Sequence, residues 1–309
     1  MSIAIGRRER VEAVGFDYSS QPKRPVTACN LCGSHEFLVL THRDRYGYPA
    51  EAHDCLACGL VFLNPVMTAE AYRRFYERSY RPLVSAYHGR PIDARTIQAE
   101  QRKYALERGD LLEPYLTGGA FSTLLDVGGS TGVVAHEWAS RFKLQAAVLD
   151  PSPLEIEQAR RFGLETIQGL MEDYNPRGRR FDVVVMCQTI DHLLDLSSTL
   201  CRVRDLVPAS GLLFVDIVDF RAGYLRNWSV EEAVKVDHPY YLTESSMAAL
   251  FMRTGFETLR KDYAADHLHI GYVCRPTSPV REFMPGQAEV AALWREIRTV
   301  QNAPRSVPL

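Results

Sequence analysis

The 309-residue chain predicts an α/β fold: a mostly parallel sheet with helices on both faces, preceded by a small cysteine ribbon and a helical cap. Three observations carry this. Four of the seven cysteines sit in two Cys-x-x-Cys-Gly units, "CNLCG" and "CLACG". From residue 122 onward, short apolar runs alternate with stretches of helical periodicity, the pattern of parallel strands joined by crossover helices. Between these regions, residues 67–117 are rich in Arg, Glu and Tyr, with apolar positions at helical spacing.

Bulk composition narrows the class. Hydrophobic residues make up 46% and charged residues 24%, as in ordinary globular proteins. A balance of 36 Lys+Arg against 38 Asp+Glu argues against a nucleic-acid partner, which calls for a basic face. No run approaches the ~18 apolar residues of a membrane span. "MSIAIGRRER" lacks the apolar core and cleavage site of a secretory signal. The expectation is a cytoplasmic protein with a small-molecule substrate and no membrane partner; the oligomeric state is left open. In that compartment paired cysteines serve metal or redox chemistry more often than disulfides.

Residues 1–25 read as an irregular, flexible lead-in ending in "QPKRP". Residues 26–66 form the ribbon, where Cys29, Cys32, Cys55 and Cys58 give the spacing C-x2-C-x22-C-x2-C. Each unit places two thiolates on one side of a tight turn, and its glycine takes the turn that follows. Four thiolates complete a tetrahedron, so the site reads as structural zinc with no position left for catalysis. A redox pair would precede a helix in a βαβ unit, and neither pair does. His35, His42 and His53 lie nearby but are not needed as ligands. Residues 67–117 read as two or three helices broken near "RPLVSAYHGRP". Within them Phe75, Tyr76, Tyr80, Tyr87 and His88 mix with Arg78, Arg81 and Arg90. This is either an amphipathic helix packing its aromatics or a cap over a ligand cleft, with an arginine near a phosphate.

The α/β domain is expected to span 118–275. Its expected strands are 123–127, 145–150, 165–168, 182–187 and 211–217, with helices at 132–141, 152–162 and 195–207. A helix at 244–254 stops at Gly255, and strands 257–263 and 268–274 complete the sheet. Residues 276–309 form a tail with a helix near 286–300. Cys187, Cys201 and Cys274 read as buried core.

"LLDVGGSTG" joins a buried strand to a helix and supplies Asp126, Gly128, Gly129, Ser130 and Gly132. Asp150, followed by Pro151, ends the next strand, 24 residues after Asp126. An acidic side chain there accepts hydrogen bonds from both hydroxyls of a ribose, and a glycine loop in that context marks a nucleotide-like cofactor. The order D-x-G-G-S-T-G resembles the D-x-G-x-G-x-G signature of class I S-adenosylmethionine-dependent methyltransferases. "FDVVVMCQTIDHL", "VPASGLLFVDI" and "HPYYLTESSMAALFMRTGF" resemble later parts of the same Rossmann-like domain. The cysteine box ahead of it resembles methyltransferases of carbohydrate and natural-product pathways, including sugar C-methyltransferases. Those longer enzymes carry a further C-terminal domain that this sequence does not show.

The resemblance implies roles. Asp126 and Gly128 would lie by the methionine part of the cofactor and Asp150 by the ribose. Glu172 or Asp173, in "MEDY", would contact the adenine, and Gln188 would face the cofactor. Ser130 stands where the middle glycine is usual; its side chain narrows the loop or its hydroxyl bonds the cofactor carboxylate. Methyl transfer mainly needs alignment, plus a base when the acceptor is a hydroxyl or carbon acid. His192, after the fourth strand, is the first candidate, with a capping role as the alternative. His238 with Tyr240 and Tyr241 would form a lid and polar pocket. Asp191 and Asp219 would orient a base or bind hydroxyls. His267 and His269 alternate in the last strand and so share a face; His136 reads as solvated or packed. The leading reading is methyl transfer to a small polar acceptor such as a sugar or nucleotide-sugar. The alternatives are an RNA or protein methyltransferase gripping through its ribbon, and a non-catalytic zinc-organised binding protein.

Overall fold

In the computed structural model, which describes residues 6–118 and 120–302, the N-terminal region opens with α1 (Arg7–Glu12) and β1 (Lys23–Arg24). The ribbon follows as β2 (Phe37–Thr41), β3 (Ala52–Cys55), β4 (Val61–Leu63) and β5 (Val66–Met67). β5 turns back to pair with β1, Lys23 opposite Met67. The lead-in is therefore not loose from residue 6 onward: Val11 and Tyr18 are buried with Tyr72 and Phe75. Val11, Phe16 and Tyr18 pack into the same cluster and anchor a stretch otherwise rich in charged and polar residues.

Two helices come next, α2 (Ala69–Arg78) and α3 (Tyr80–His88), then a long one, α4 (Gln98–Leu116). Thr68 caps α2 by accepting from the Ala71 N–H. The expected cap, 67–117, divides here. α2 and α3 stand over the mouth of the sheet, whereas α4 packs against a helix and a strand of the sheet domain.

That domain runs β6 (Thr123–Val127), α5 (Val133–Phe142), β7 (Gln145–Asp150), α6 (Pro153–Arg161), β8 (Glu165–Gln168), β9 (Val183–Cys187), α7 (Leu196–Leu206) and β10 (Leu212–Val218). After α8 (Phe220–Asn227), α9 (Val230–Ala233) and β11 (Tyr240–Tyr241) it resumes with α10 (Glu244–Thr254), β12 (Phe256–Tyr263) and β13 (His269–Pro276), and α11 (Gln287–Asn302) closes the chain. The seven-stranded sheet has the order β12-β13-β10-β9-β6-β7-β8. β13 is antiparallel to both its neighbours, and the other pairings are parallel. Val183, Val184, Val185 and Met186 are fully buried, as expected of a central strand covered on both faces. The chain steps from β6 outward to β8, then returns to β9 on the other side of β6. Such a reversal opens a crevice at the carboxyl ends of the strands.

β11 was expected to lie in a lid. It instead adds a fourth strand to the ribbon, in the order β11-β4-β3-β2, with Tyr240 opposite Phe62 and Tyr241 opposite Val61. α11 packs on the same unit: Leu293 and Val290 approach Gly59, and Ile297 is buried with Val61 and Leu63. Cys274 is buried as expected, but Cys201 is exposed on α7 and Cys187 is only partly covered. Among the described residues no helix is long and apolar enough to cross a membrane.

Candidate active site

The loop after β6 is shaped by space. A Cβ on Gly128 would sit 2.4 Å from Thr189, and one on Gly129 would sit 2.6 Å from the Asp126 carboxylate, closer than any side chain allows. Gly128 takes φ 67°, and its N–H donates to the Leu149 carbonyl at 2.7 Å. Together with Asp126, Ser130, Asp150, Pro151, Glu172 and Gln188, these glycines line one cleft at the crevice.

Electrostatics define that cleft. Asp126 is fully buried, and neither carboxylate oxygen has a hydrogen-bond partner. Burial, helped by the charge of Asp150, pushes its pKa up to about 8. A buried carboxylate with no partner is costly and calls for a cation. Asp150 accepts from the N–H groups of Ser130 at 2.9 Å and Ser152 at 2.8 Å, and burial raises it to about 6. Each of its oxygens keeps a lone pair for a ribose hydroxyl. An ammonium-bearing, ribose-bearing cofactor such as S-adenosylmethionine fits this donor set, with Asp126 for the methionine end and Asp150 for the sugar.

Other expected cofactor residues divide. Glu172 lines the cleft and accepts from the Leu194 N–H at 2.9 Å. Asp173 turns outward to Arg73 at 3.3 Å. Gly132 leaves the cleft and serves packing, since a Cβ there would press on Ala159. Gln188 holds a left-handed φ of 53° at the cleft wall, where such strain collects at functional sites. Ser130 lines the cleft, with its hydroxyl turned to protein groups. Its hydroxyl donates to Glu155 at 2.8 Å and accepts from Arg81 at 3.2 Å, while Arg81 also pairs with Glu155 at 2.9 Å. Arg81 is thus spent on a clamp between α3 and α6. Arg90 pairs with Glu100 on the surface, and Arg78 is not among the residues lining the cleft.

Across the cleft stand Tyr76 and Tyr80 from the cap, with His192. His192 Nδ1 lies 2.8 Å from the Asp237 carbonyl. A carbonyl only accepts, so Nδ1 carries the proton and Nε2 keeps a lone pair. Tyr76 contributes its hydroxyl at 2.8 Å from the same nitrogen. The His238 ring lies 4.5 Å from His192 but is enclosed. Its Nδ1–H donates to Asp191 at 2.8 Å, and its Nε2 accepts from Lys235 Nζ at 3.1 Å. Burial pulls His238 down to about 4, so it is neutral. Burial works against ionisation of Asp191, but His238 and His192 outweigh it and hold the carboxyl below the usual range. Asp191, His192 and His238 approach one another closely enough to share a cation. The Lys235 ammonium beside His238 disfavours one.

The remaining candidates fall away from the cleft. Tyr241 is buried, its hydroxyl accepting from the Lys235 N–H at 3.0 Å and donating to the Lys235 carbonyl at 2.7 Å. Tyr240 donates to the Leu194 carbonyl. Asp219 caps α8. His267 lies in a turn at φ 55°, outside the strand that begins at His269, so the two do not share a face. His269 binds Asp266 at 2.6 Å, and His136 stacks on Phe162. Sequence reasoning missed Gln101 and Met171, which line the cleft, and also Lys235 and Asp237. The last two flank His238 in "VKVDHPYY", and their charges next to a histidine were the available signal.

In the ribbon, Cys29 and Cys58 Sγ lie 3.6 Å apart, and Cys32 and Cys55 Sγ 3.5 Å apart. Tetrahedral ligation at about 2.3 Å per bond requires about 3.8 Å between sulfurs. Gly33 (φ 79°) and Gly59 (φ 73°) take the left-handed turns after each pair. None of His35, His42 and His53 joins this four-cysteine group.

Comparison with known proteins agrees with this geometry. A methyltransferase-domain family model matches residues 94–261, more than half of the chain. A ubiquinone biosynthesis O-methyltransferase of Methylobacterium is 30% identical over 105 residues, covering 31% of this chain and 41% of that protein. One of Rhodopseudomonas palustris is 26% identical over 111 residues, covering 34% and 41%. The chain therefore spans about two fifths of the length of these relatives. Among solved structures, mitomycin 7-O-methyltransferase aligns with a TM-score of 0.51 at 18% identity, covering 67% of this chain and 60% of the other. A riboflavin-analogue dimethyltransferase of Streptomyces davawensis aligns at 0.50 and 16%, covering 67% and 62%. With its sheet order, its glycine cradle and this match over most of the sheet domain, the chain belongs to the methyltransferase-domain family, the S-adenosylmethionine-dependent methyltransferases of class I fold.

Proposed function

We propose that this protein methylates a hydroxyl of a small polar acceptor, with His192 as the base. The carrying observation is the His192 imidazole, placed at the cleft with Nδ1 held by a carbonyl and Nε2 free. When bound, S-adenosylmethionine supplies a methyl group on a good leaving group. Asp126 and Asp150 hold its two polar ends. Tyr76 and Tyr80 wall the acceptor side, and His192 Nε2 takes the acceptor proton. His238, with protons committed to Asp191 and from Lys235, positions the neighbouring imidazole. Oxygen as the acceptor atom is supported by the O-methyltransferase relatives. A sugar or nucleotide-sugar acceptor is supported by the cysteine box alone. The ribbon holds zinc through Cys29, Cys32, Cys55 and Cys58, a closed structural site. Its β4 edge is taken by β11 and one side by α11, which disfavours its use as a grip on a macromolecule.

The test is calorimetric titration with S-adenosylmethionine of the intact protein and of Asp150→Ala. Micromolar binding is expected, weakened at least about tenfold in the variant, since two charge-assisted hydrogen bonds are lost. Elemental analysis of the same preparation should give one zinc per chain. Absence of cofactor binding to the zinc-loaded protein would overturn the reading.

A further inference from the structure

Behind the His192 wall lies a group of charged side chains that the transfer reaction itself does not use. Arg45 comes from the ribbon loop between β2 and β3, and Lys235 from the segment between α9 and β11. Their backbones meet, since the Arg45 N–H donates to the Val234 carbonyl at 3.0 Å. Both residues are partly covered rather than fully buried. Neither makes an ion pair within 4.0 Å among the described residues. One proton of the Lys235 ammonium goes to His238 Nε2, which leaves two unspent. Arg45 donates one bond, to the Tyr46 hydroxyl at 2.9 Å, and its buried Nε has no partner. Its guanidinium stacks on Tyr46 and Tyr87 at 4.9 and 4.3 Å.

The nearby acids act on the two cations only at a distance, each bonded to other groups. Asp191 is held by His238. Asp44 accepts three backbone N–H groups, from Tyr46, Tyr48 and Val236. Asp237 is shared between the two cations only indirectly, through Tyr46 at 3.4 Å and His238 at 3.4 Å. Burial and the nearby Arg45 charge pull Lys235 down to about 8, against the opposing pull of Asp237 and Asp191. Arg81, by contrast, is neutralised by Glu155.

We propose that Arg45 and Lys235 form the recognition site for an anionic group of the methyl acceptor, a carboxylate or a phosphate, so that the ribbon contributes to substrate selection. The site adjoins the base: Lys235 touches His238, whose ring packs on His192. An acidic acceptor anchored there would present its hydroxyl towards His192 Nε2 and the methyl donor. This inference rests on the methyl-transfer reading above, and it gives the cysteine ribbon a second purpose besides its own fold: it carries Arg45 to the group behind His192, against the Lys235 segment.

The test uses the full-length, zinc-loaded protein saturated with S-adenosylhomocysteine, at fixed pH and ionic strength. Two matched pairs are titrated: catechol against 3,4-dihydroxybenzoate, and glucose against glucose 6-phosphate. The acidic member of at least one pair is expected to bind about tenfold tighter or more, as charged hydrogen bonds in an enclosed site allow. The pair that responds identifies the anion. Arg45→Gln and Lys235→Met should each erase the preference, and Arg45→Lys should restore part of it. Melting temperature and cofactor affinity of the variants, unchanged from the parent, exclude misfolding. Equal binding within both pairs, no binding of either acid, or a preference that survives both substitutions would overturn the inference. Failure of S-adenosylhomocysteine itself to bind would overturn the methyl-transfer reading instead, and the two failures are read separately.

Discussion

The Asp237 carbonyl can only accept a hydrogen bond, and that constraint gives the two adjacent histidines different chemistry. His192 is left with a lone pair at the cleft, whereas His238 has both nitrogens engaged. His192→Ala is therefore expected to lower kcat by roughly 10²–10⁴, the usual worth of a positioned base, with the affinity for S-adenosylmethionine unchanged. Stopped assays beside calorimetry would check this. A kcat within twofold of the parent would place the base elsewhere. At this scale the sequence was readable where chemistry and backbone share one short motif. Asp126 and Asp150 end adjacent strands, so the pattern alone located them. Tyr241 was misjudged because nothing local shows that its hydroxyl closes on Lys235 rather than on a ligand.

Ser130 ties two elements together. A left-handed residue other than glycine costs roughly 1 kcal/mol or more, yet here the hydroxyl joins Arg81 of α3 to Glu155 of α6. The cap is thereby fastened to the cofactor loop itself. Ser130→Gly should change stability little, since relief of strain offsets the lost bonds. It should nonetheless speed amide hydrogen exchange through residues 79–88 in the cofactor-free protein. Arg81→Met should do so more strongly, and should destabilise by about 3 kcal/mol because Glu155 is left buried and unpaired. Exchange unchanged in both variants would mean that the aromatic packing of Tyr76 and Tyr80 alone holds the cap. The helices of the cap were legible from their period. Their closure was not, because an ion pair between residues 81 and 155 has no local signature.

The whole molecule carries an unusual load of buried acids. Burial raises Asp54 and Asp126 to about 8, Asp44 and Asp216 to about 7, and Asp150 to about 6. In the unfolded chain each titrates near its ordinary value of 3.8. Between these values the folded state holds more protons than the unfolded one, so stability must fall as pH rises. The contribution is complete below about pH 4 and is lost through pH 6–8. The cofactor-free protein should melt at a higher temperature at pH 6 than at pH 8. Asp126→Asn and Asp54→Asn, which remove two buried carboxyls that have neither a side-chain hydrogen-bond partner nor an ion pair among the described residues, should flatten the difference. Calorimetric melts that are level or rise with pH would refute this.

The strands at 123–127, 145–150 and 165–168, the glycine loop and the four cysteines were determined by sequence alone. Each depends on neighbours a few residues away: short apolar runs, a turn that only glycine fits, cysteines with two residues between them. The tertiary structure decided the rest. It placed Tyr240 and Tyr241 in the ribbon sheet rather than in a lid, and moved α4 from the cap to the sheet domain. It seated α11 on the ribbon and brought Arg45 and Lys235 together across 190 positions of sequence. These arrangements follow from which surfaces bury best and which charges are left unpaired. Such long-range sums are written in no single stretch of the chain.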